Sequence, residues 1–241
     1  MGGMNTSQTL GLVLQFWTST ILNLAVSQHY LVMLFARAQY RFMNTELRKV
    51  IKETEMLSNH PQRRGAFMTR CCYLSDQLEE VAKVQSKLQS IVTQLGKVFG
   101  LQGVMVYSGY YISSVVGTYL TYSLFKYGHE TLNLTLKTVI LAYTWNFFYY
   151  LDALLNLSIM LFVLDDHKEM RRLLEEATLF ASRLDVRLEE SFESLQLQLV
   201  RSPFEMNVMK LFSVTRSSTF AMCGSIITHS IFLIQFDMEY F

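Results

Sequence analysis

Charged residues are distributed unevenly along this chain, and four long stretches contain almost none. Residues 1–36, 98–125 and 217–236 carry no Asp, Glu, Lys or Arg, and residues 138–164 carry only Asp152. Each stretch reaches the roughly 20 residues that an α-helix needs to cross the hydrocarbon core of a bilayer. The pattern predicts an all-α integral membrane protein with four transmembrane helices.

The spacing of these stretches leaves two long charged segments and one short one. The long segments hold most of the Lys and Arg, whereas the short one holds only Lys126 and Lys137. Because positive charge favours the cytoplasmic side, the long segments are expected there, with both chain ends outside. The predicted segments are an outside tail and first transmembrane helix at 1–36, a cytoplasmic helical segment at 37–97, a second transmembrane helix at 98–125, a short outside loop at 126–137, a third transmembrane helix at 138–164, a cytoplasmic helical segment at 165–210, a last transmembrane helix at 211–236 and an outside tail at 237–241.

Composition supports the membrane class and argues against several others. The chain is 51% hydrophobic and 17% charged and has only two prolines, which is too apolar for an ordinary soluble domain. A net charge of +1 without basic patches gives no case for nucleic acid, and no catalytic, metal or cofactor motif is present. Sequons at Asn5 and Asn133, both in segments placed outside, are candidate glycosylation sites.

The cytoplasmic segments contain amphipathic helical patterns. Apolar residues recur in steps of three and four at Leu74, Leu78, Val81, Val84, Leu88, Ile91, Leu95 and Val98. A similar pattern runs on from the third transmembrane helix, which is therefore predicted to extend well into the cytoplasm. Such faces are not stable in water alone, so they pack either against one another or against another subunit. The pattern leaves both possibilities open.

Asp152 lies near the middle of the third predicted span, where a charge is unfavourable by about 2.5–3.5 kcal/mol on insertion scales. One interpretation makes it part of a ligand or ion cavity with Asn146, Tyr149 and Tyr150. The other makes it a protonated or hydrogen-bonded carboxyl that ties two helices together.

The last predicted span carries a narrow polar stripe. Ser225, Thr228, Phe232 and Gln235 fall on one helical face, and Ile227 lies largely off it. Such a stripe lines a pore if several copies of the helix surround an axis. Otherwise it supplies hydrogen bonds between helices.

Three sequence stretches carry a family resemblance. The segment THSIFLIQF (228–236) resembles the terminal signature of insect gustatory receptors, a Thr-Tyr pair, five mostly apolar residues and Gln-Phe, with His229 in place of the tyrosine. LFSVTRSSTFAMCGSII (211–227) looks like the family's segment before and within the last helix. ARAQYRFMNTELRKVI (36–51) looks like its entry into the second cytoplasmic loop.

The resemblance implies a seven-span plasma-membrane receptor, of which the four predicted spans match the last four. The chain is then expected to be a fragment, a short isoform or the product of a truncated gene model. The resemblance also implies a tetrameric, ligand-gated cation channel opened by a small-molecule tastant, with the cytoplasmic helices as a shared anchor. A nonconducting assembly partner of full-length subunits is the alternative.

The resemblance also assigns site residues. Gln235 and Phe236 would form the narrow outer gate, with Thr228 deeper and with Ser225 and Phe232 on the same stripe. A ligand pocket in the outer half of the membrane would draw on aromatic and polar residues of the second and third spans. The candidates are Tyr111, Tyr119, Tyr122, Trp145, Tyr149 and Asp152.

Overall fold

A computed structural model describes residues 6–59, 64–131, 136–181, 185–204, 207–208 and 212–240. This part of the chain is helical apart from one two-residue β ladder. The elements are α1 (Thr6–Asn59), α2 (Arg64–Val98), α3 (Gly100–Thr131), α4 (Leu136–Ala181), α5 (Val186–Arg201), β1 (Asn207–Val208), β2 (Phe212–Ser213) and α6 (Arg216–Tyr240). The predicted all-α class is therefore confirmed. The candidate glycosylation sites Asn5 and Asn133 lie outside the described residues.

Helices α2 and α3 run almost continuously into each other. The Phe99 amide donates to the Leu95 carbonyl at 2.8 Å, and the Gly103 amide donates to the Phe99 carbonyl at 2.7 Å, so the backbone ladder continues past the bend. Near its far end α3 is interrupted at Gly128, whose φ of 79° lies in the left-handed region that favours glycine. Helix α3 thus links the predicted cytoplasmic segment to the predicted outside loop.

Local sequence signals set both ends of α5. The Asp185 carboxylate caps its start by accepting from the Arg187 amide at 3.0 Å. The helix stops at Arg201, ahead of Pro203, which cannot donate the next backbone hydrogen bond. Antiparallel pairing of β1 with β2 then leads the chain into α6.

The second half of α1, α2, the end of α4 and α5 form a four-helix bundle. Helix α1 packs on α4 and α2, and α5 packs on α2 and α4, which closes the bundle. Its fully buried large side chains include Tyr40, Met43, Leu47, Leu74, Leu78, Met170, Leu174, Leu188, Phe192 and Leu195. This core is the well-packed part of the chain.

Packing within the chain accounts for part of the predicted amphipathic face of α2. Leu74, Leu78, Val81 and Leu88 are buried in the bundle. Val84, Ile91 and Val98 are 40%, 49% and 75% exposed. The apolar stripe is therefore split between an inward edge covered by α1 and α5 and an outward edge that the described residues do not cover.

Two of the described helices are long and apolar enough to cross a membrane, α4 over Val139–Thr178 and α6 over Arg216–Glu239. Only a small share of either apolar surface is buried within the chain. Helix α3, which interleaves tyrosine, serine and glycine with its apolar residues, is not one of these two helices. A count of four spans therefore remains a prediction.

Candidate functional site

Helix α6 packs mainly against α3, along one side, and Arg216 at its start donates to Asp165 of α4. Much of its remaining surface is exposed. Ser230 and Asp237, seven residues apart, are its buried polar positions. Thr228, Phe232 and Gln235 lie on the exposed side. Most of the predicted polar stripe therefore faces away from the rest of the chain.

Ser225 is the member of the stripe that turns towards α3. The Tyr111 hydroxyl lies 2.8 Å from both Ser225 Oγ and His229 Nδ1. His229 Nδ1 also lies 2.8 Å from the Ser225 carbonyl oxygen. Since one ring nitrogen either donates or accepts, the imidazole accepts from Tyr111 in one tautomer and donates to the Ser225 carbonyl in the other. The position that departs from the family signature thus belongs to a contact between α3 and α6.

A second contact between these helices surrounds Asp237. Its carboxylate accepts from Lys126 Nζ at 2.8 Å, from the Tyr127 hydroxyl at 2.9 Å and from the Tyr119 hydroxyl at 3.0 Å. The Lys126 ammonium also lies 5.8 Å from the centre of the Tyr122 ring. Two predicted pocket residues, Tyr119 and Tyr122, are therefore part of the cluster that fixes the end of α6.

Asp152 is hydrogen-bonded rather than exposed to a wet cavity. It accepts from the Tyr110 hydroxyl at 3.0 Å, and the Asn156 side-chain amide lies 3.2 Å from its other carboxylate oxygen. The Tyr149 ring packs against the Tyr110 ring, with ring centres 4.6 Å apart and ring planes tilted by 54°. This geometry is the one expected of a carboxyl that joins two helices, here α3 and α4.

A cavity lies elsewhere, between α1, the bend from α2 to α3, and α4. Its volume is about 490 Å³. None of the six predicted pocket residues lines it, and Trp145 is exposed on α4. The polar side chains that do line it include His29, Tyr110 and Asn156. One sequence signal could have indicated that Asn156 belongs to this region. It follows Asp152 by one helical turn and therefore lies on the same face of the helix.

No group of three or more His, Cys, Asp or Glu side chains able to hold a metal ion occurs among the described residues. The cysteines are reduced, and Cys71 is fully buried in the bundle, which raises the pKa of its thiol.

Long helices with exposed apolar surfaces, attached to a packed helical bundle, define this chain as a helical membrane protein. It matches the family described as 7tm Chemosensory receptor over residues 1–240. It is 58% identical over 235 residues to gustatory receptor 36a of Drosophila melanogaster and 55% identical over 241 residues to gustatory receptor 36c of the same species. Gustatory receptor 59d of that fly is 34% identical over 242 residues. The chain belongs to the insect gustatory receptor family.

These alignments cover 98%, 100% and 99% of this chain and 60%, 62% and 62% of the respective relatives. The chain therefore spans about three fifths of the length of the curated relatives that it matches.

Proposed function

We propose that this chain is a subunit of a ligand-gated cation channel of the plasma membrane, opened by a small tastant, in which α6 lines the pore. The observation that carries the proposal is the packing of α6. One side of this apolar helix is fixed to α3, and the opposite side presents Thr228, Phe232 and Gln235 with no cover from the described chain. Copies of α6 gathered around an axis would cover that side.

The chemistry of the stripe suits ion passage. Gln235 offers an uncharged amide dipole that can replace part of an ion's hydration shell without holding the ion tightly. Thr228 adds a hydroxyl two helical turns away on the same side. Phe232 and Phe236 place large apolar rings between and beside these polar groups, as a hydrophobic constriction requires.

The cytoplasmic bundle is the proposed assembly surface for a tetramer. Val84, Ile91 and Val98 follow one another at seven-residue intervals along α2 and are exposed. Leu197 and Val200 are exposed on the neighbouring α5. Association of subunits through these side chains would remove their apolar surface from water.

The proposed membrane arrangement is multi-pass, with residues 37–97 and 165–210 in the cytoplasm and both ends of this chain outside. The exposed apolar residues of α4, such as Phe147, Phe148 and Leu154, would then contact lipid.

The exposed edge of the bundle also favours a second candidate function. A chain with an uncovered cytoplasmic apolar stripe can join full-length subunits whether or not its own α6 conducts. In that case it acts as a nonconducting assembly partner.

The pore assignment is tested by changing charge at Gln235. The chain is co-expressed with a full-length relative, gustatory receptor 36a, and reversal potentials are measured under bi-ionic conditions. Gln235→Glu is expected to raise cation preference and divalent block, and Gln235→Arg to abolish cation current, because a fixed charge in the ion path attracts or repels cations.

Ile227 supplies the matched control, since it is also exposed on α6 but lies largely off the stripe. Ile227→Glu is expected to alter permeation much less. If the Gln235 variants co-purify with the relative and leave selectivity and conductance unchanged, the nonconducting candidate replaces the channel.

A further inference from the structure

The cavity of about 490 Å³ has a mostly apolar wall, and polar side chains in that wall are engaged with other parts of the protein. The His29 side chain interacts with that of Asn156. The Tyr110 hydroxyl donates to Asp152 at 3.0 Å. Apolar side chains that form much of the remaining wall include Val26, Met33, Val106 and Met160. The interior therefore suits an apolar chain better than a molecule that needs polar partners.

A smaller, polar cavity adjoins the apolar one. It lies between α2 and α5 and has a volume of about 340 Å³. Thr93 and Lys97 line both cavities, so the two share a border on α2. Hydroxyl and amide side chains line the rest of the polar cavity, among them Ser86, Gln89, Gln94 and Gln198. An apolar space and a hydrogen-bonding space thus lie side by side, as an amphiphilic molecule requires.

The shared border carries a positive charge. Lys97 is exposed, and among the described residues neither lining contains Asp or Glu. Lys97 also forms no ion pair with the acidic side chains that the structure describes. An ammonium group without a countercharge, placed between a polar and an apolar space, favours an amphiphile whose charged group is an anion.

The order of the two cavities along the chain matches the order of the parts of a lipid. The polar cavity draws on α2 from Ser86 to Lys97, just ahead of the predicted span at 98–125. The apolar cavity continues along α3 as far as Tyr110, roughly 20 Å beyond Lys97 along the helix axis. The hydrocarbon of one leaflet is about 15 Å thick. The apolar cavity therefore lies at the depth of the acyl chains and the polar one at the depth of the head groups.

We infer that the two adjoining cavities bind one anionic phospholipid of the inner leaflet. An acyl chain occupies the apolar cavity, the phosphate lies at Lys97, and the rest of the head group contacts the hydroxyl and amide side chains of the polar cavity. Anionic lipids give the cytoplasmic leaflet its negative surface potential. The choice of leaflet rests on the proposed membrane arrangement, whereas the chemistry of the site does not.

The test measures binding by protection of an introduced thiol. Gly96 lines the apolar cavity next to Lys97, and a Cβ at this position meets no atom within 4 Å, so Gly96→Cys fits without a clash. The substitution is made with Cys72→Ser and Cys223→Ser, which leaves only the buried Cys71 as a native thiol. The purified full chain in a non-ionic detergent is treated with neutral methyl methanethiosulfonate. Mass spectrometry follows the rate of modification at position 96 with and without each probe.

The probes separate the chain from the charge. Dioleoylphosphatidylglycerol carries both, dioleoylphosphatidylcholine has the same chains and no net charge, and glycerol 3-phosphate has the anion and no chain. The anionic lipid is expected to protect the thiol at about a fivefold lower concentration than the zwitterionic lipid, because one lysine contributes about that factor at an anionic head group. Glycerol 3-phosphate should give no protection in the same concentration range.

Lys97→Gln should remove the difference between the two lipids, since it deletes the charge at the shared border. Lys87→Gln is the matched control, because Lys87 is also exposed on α2 and lines neither cavity. This variant should keep the fivefold difference. Both substitutions are at exposed positions, and the rates with and without lipid are compared within each variant, so a change in the intrinsic reactivity of the thiol does not affect the result.

Four results would overturn the inference. Equal protection by the two lipids would mean that the chain binds without recognition of the head group. Equal protection by the anionic lipid and glycerol 3-phosphate would indicate a site for a soluble anion. Absence of protection by all probes, with the thiol still reactive, would mean that the apolar cavity takes no acyl chain. Persistence of the fivefold difference in Lys97→Gln would place the anion elsewhere. Since the test measures neither current nor orientation, it and the tests of the proposed function fail independently.

Discussion

The Asp237 carboxylate on α6 lies 2.8 Å from the Lys126 ammonium on α3, two residues beyond Gln235. The carboxylate is buried, and the Tyr119 and Tyr127 hydroxyls donate to it as well. Three side chains of α3 therefore fix the end of α6 next to the residue proposed to meet the ion. The sequence alone had placed Lys126 in the short outside loop and Asp237 in the terminal tail.

Breaking this ion pair should loosen α6 from α3. Lys126→Met leaves the carboxylate with two phenols, and Asp237→Asn leaves the ammonium without its countercharge, so each is expected to lower the melting temperature in detergent. The double variant should lower the melting temperature by less than the sum of the two single decreases, since the partners interact directly. Lys137→Met, at an exposed lysine near the start of α4, is the control and should change little. Strictly additive decreases in melting temperature would contradict a direct interaction between Lys126 and Asp237.

The two edges of α2 should respond differently to charge. Val81 is 8% exposed in the bundle core, so Val81→Asp buries a carboxylate without a partner and should lower the free energy of unfolding by at least about 3 kcal/mol. Val84→Asp, at a 40% exposed position, should change it by about 0.5 kcal/mol or less and should instead reduce the oligomer fraction. Chemical unfolding and size-exclusion chromatography with light scattering measure the two effects.

Ile91→Asp, one heptad further along the exposed edge, should repeat the Val84 result. If both exposed variants assemble as the unaltered chain does, the exposed edge of α2 is not the proposed subunit interface. If Val81→Asp folds normally, the packing of α2 against α1 and α5 is wrong.

The sequence predicted the helical class and the apolar stripe of α2 because burial imposes a 3.6-residue period on apolar positions. It could not separate Val81 from Val84, since both belong to one broad apolar stripe and only the neighbouring helices decide which edge is covered. The β1–β2 ladder was not predicted, because two-residue strands show no alternation that a pattern can reveal.

The candidate site was harder to predict for the same reason. Asp152 stood out as an acid in an apolar span, but its partner Tyr110 is 42 residues away and is chosen by how α3 packs on α4. The cavity lined by Asn156 exists only because three helices leave a gap there. A single sequence carries no periodic signal for such a gap.

Two substitutions at Tyr40 test the bundle core. Together they separate the contribution of the ring to stability from that of the hydroxyl. The side chain is fully buried, and its hydroxyl lies near Gln85 but has no partner in good hydrogen-bond geometry. Burial also raises the pKa of this phenol, so it stays neutral. Tyr40→Phe removes an unsatisfied polar atom and should leave stability unchanged or raise it by up to about 1 kcal/mol. Tyr40→Ala should lower stability by about 3–5 kcal/mol, since the ring packs against His167 and Phe204.

Chemical unfolding of the two Tyr40 variants in one detergent gives the comparison. A loss above about 1 kcal/mol for Tyr40→Phe would show that the hydroxyl has a partner in solution, such as a buried water that bridges it to Gln85.

The orientation of the chain in the membrane is the remaining prediction, and it rests on the excess of Lys and Arg in residues 37–97. A cysteine is introduced at Ser58, which is exposed near the end of α1, or at Asn133 in the predicted outside loop, with Cys72 and Cys223 replaced by serine. In intact cells an impermeant maleimide should label Asn133→Cys and not Ser58→Cys, because only the former faces the medium. After permeabilisation both should react, which shows that the thiol at position 58 is accessible and was protected by the membrane alone. Labelling of Ser58→Cys in intact cells would reverse the orientation, and with it the assignment of the Asp237 end of α6 to the outside.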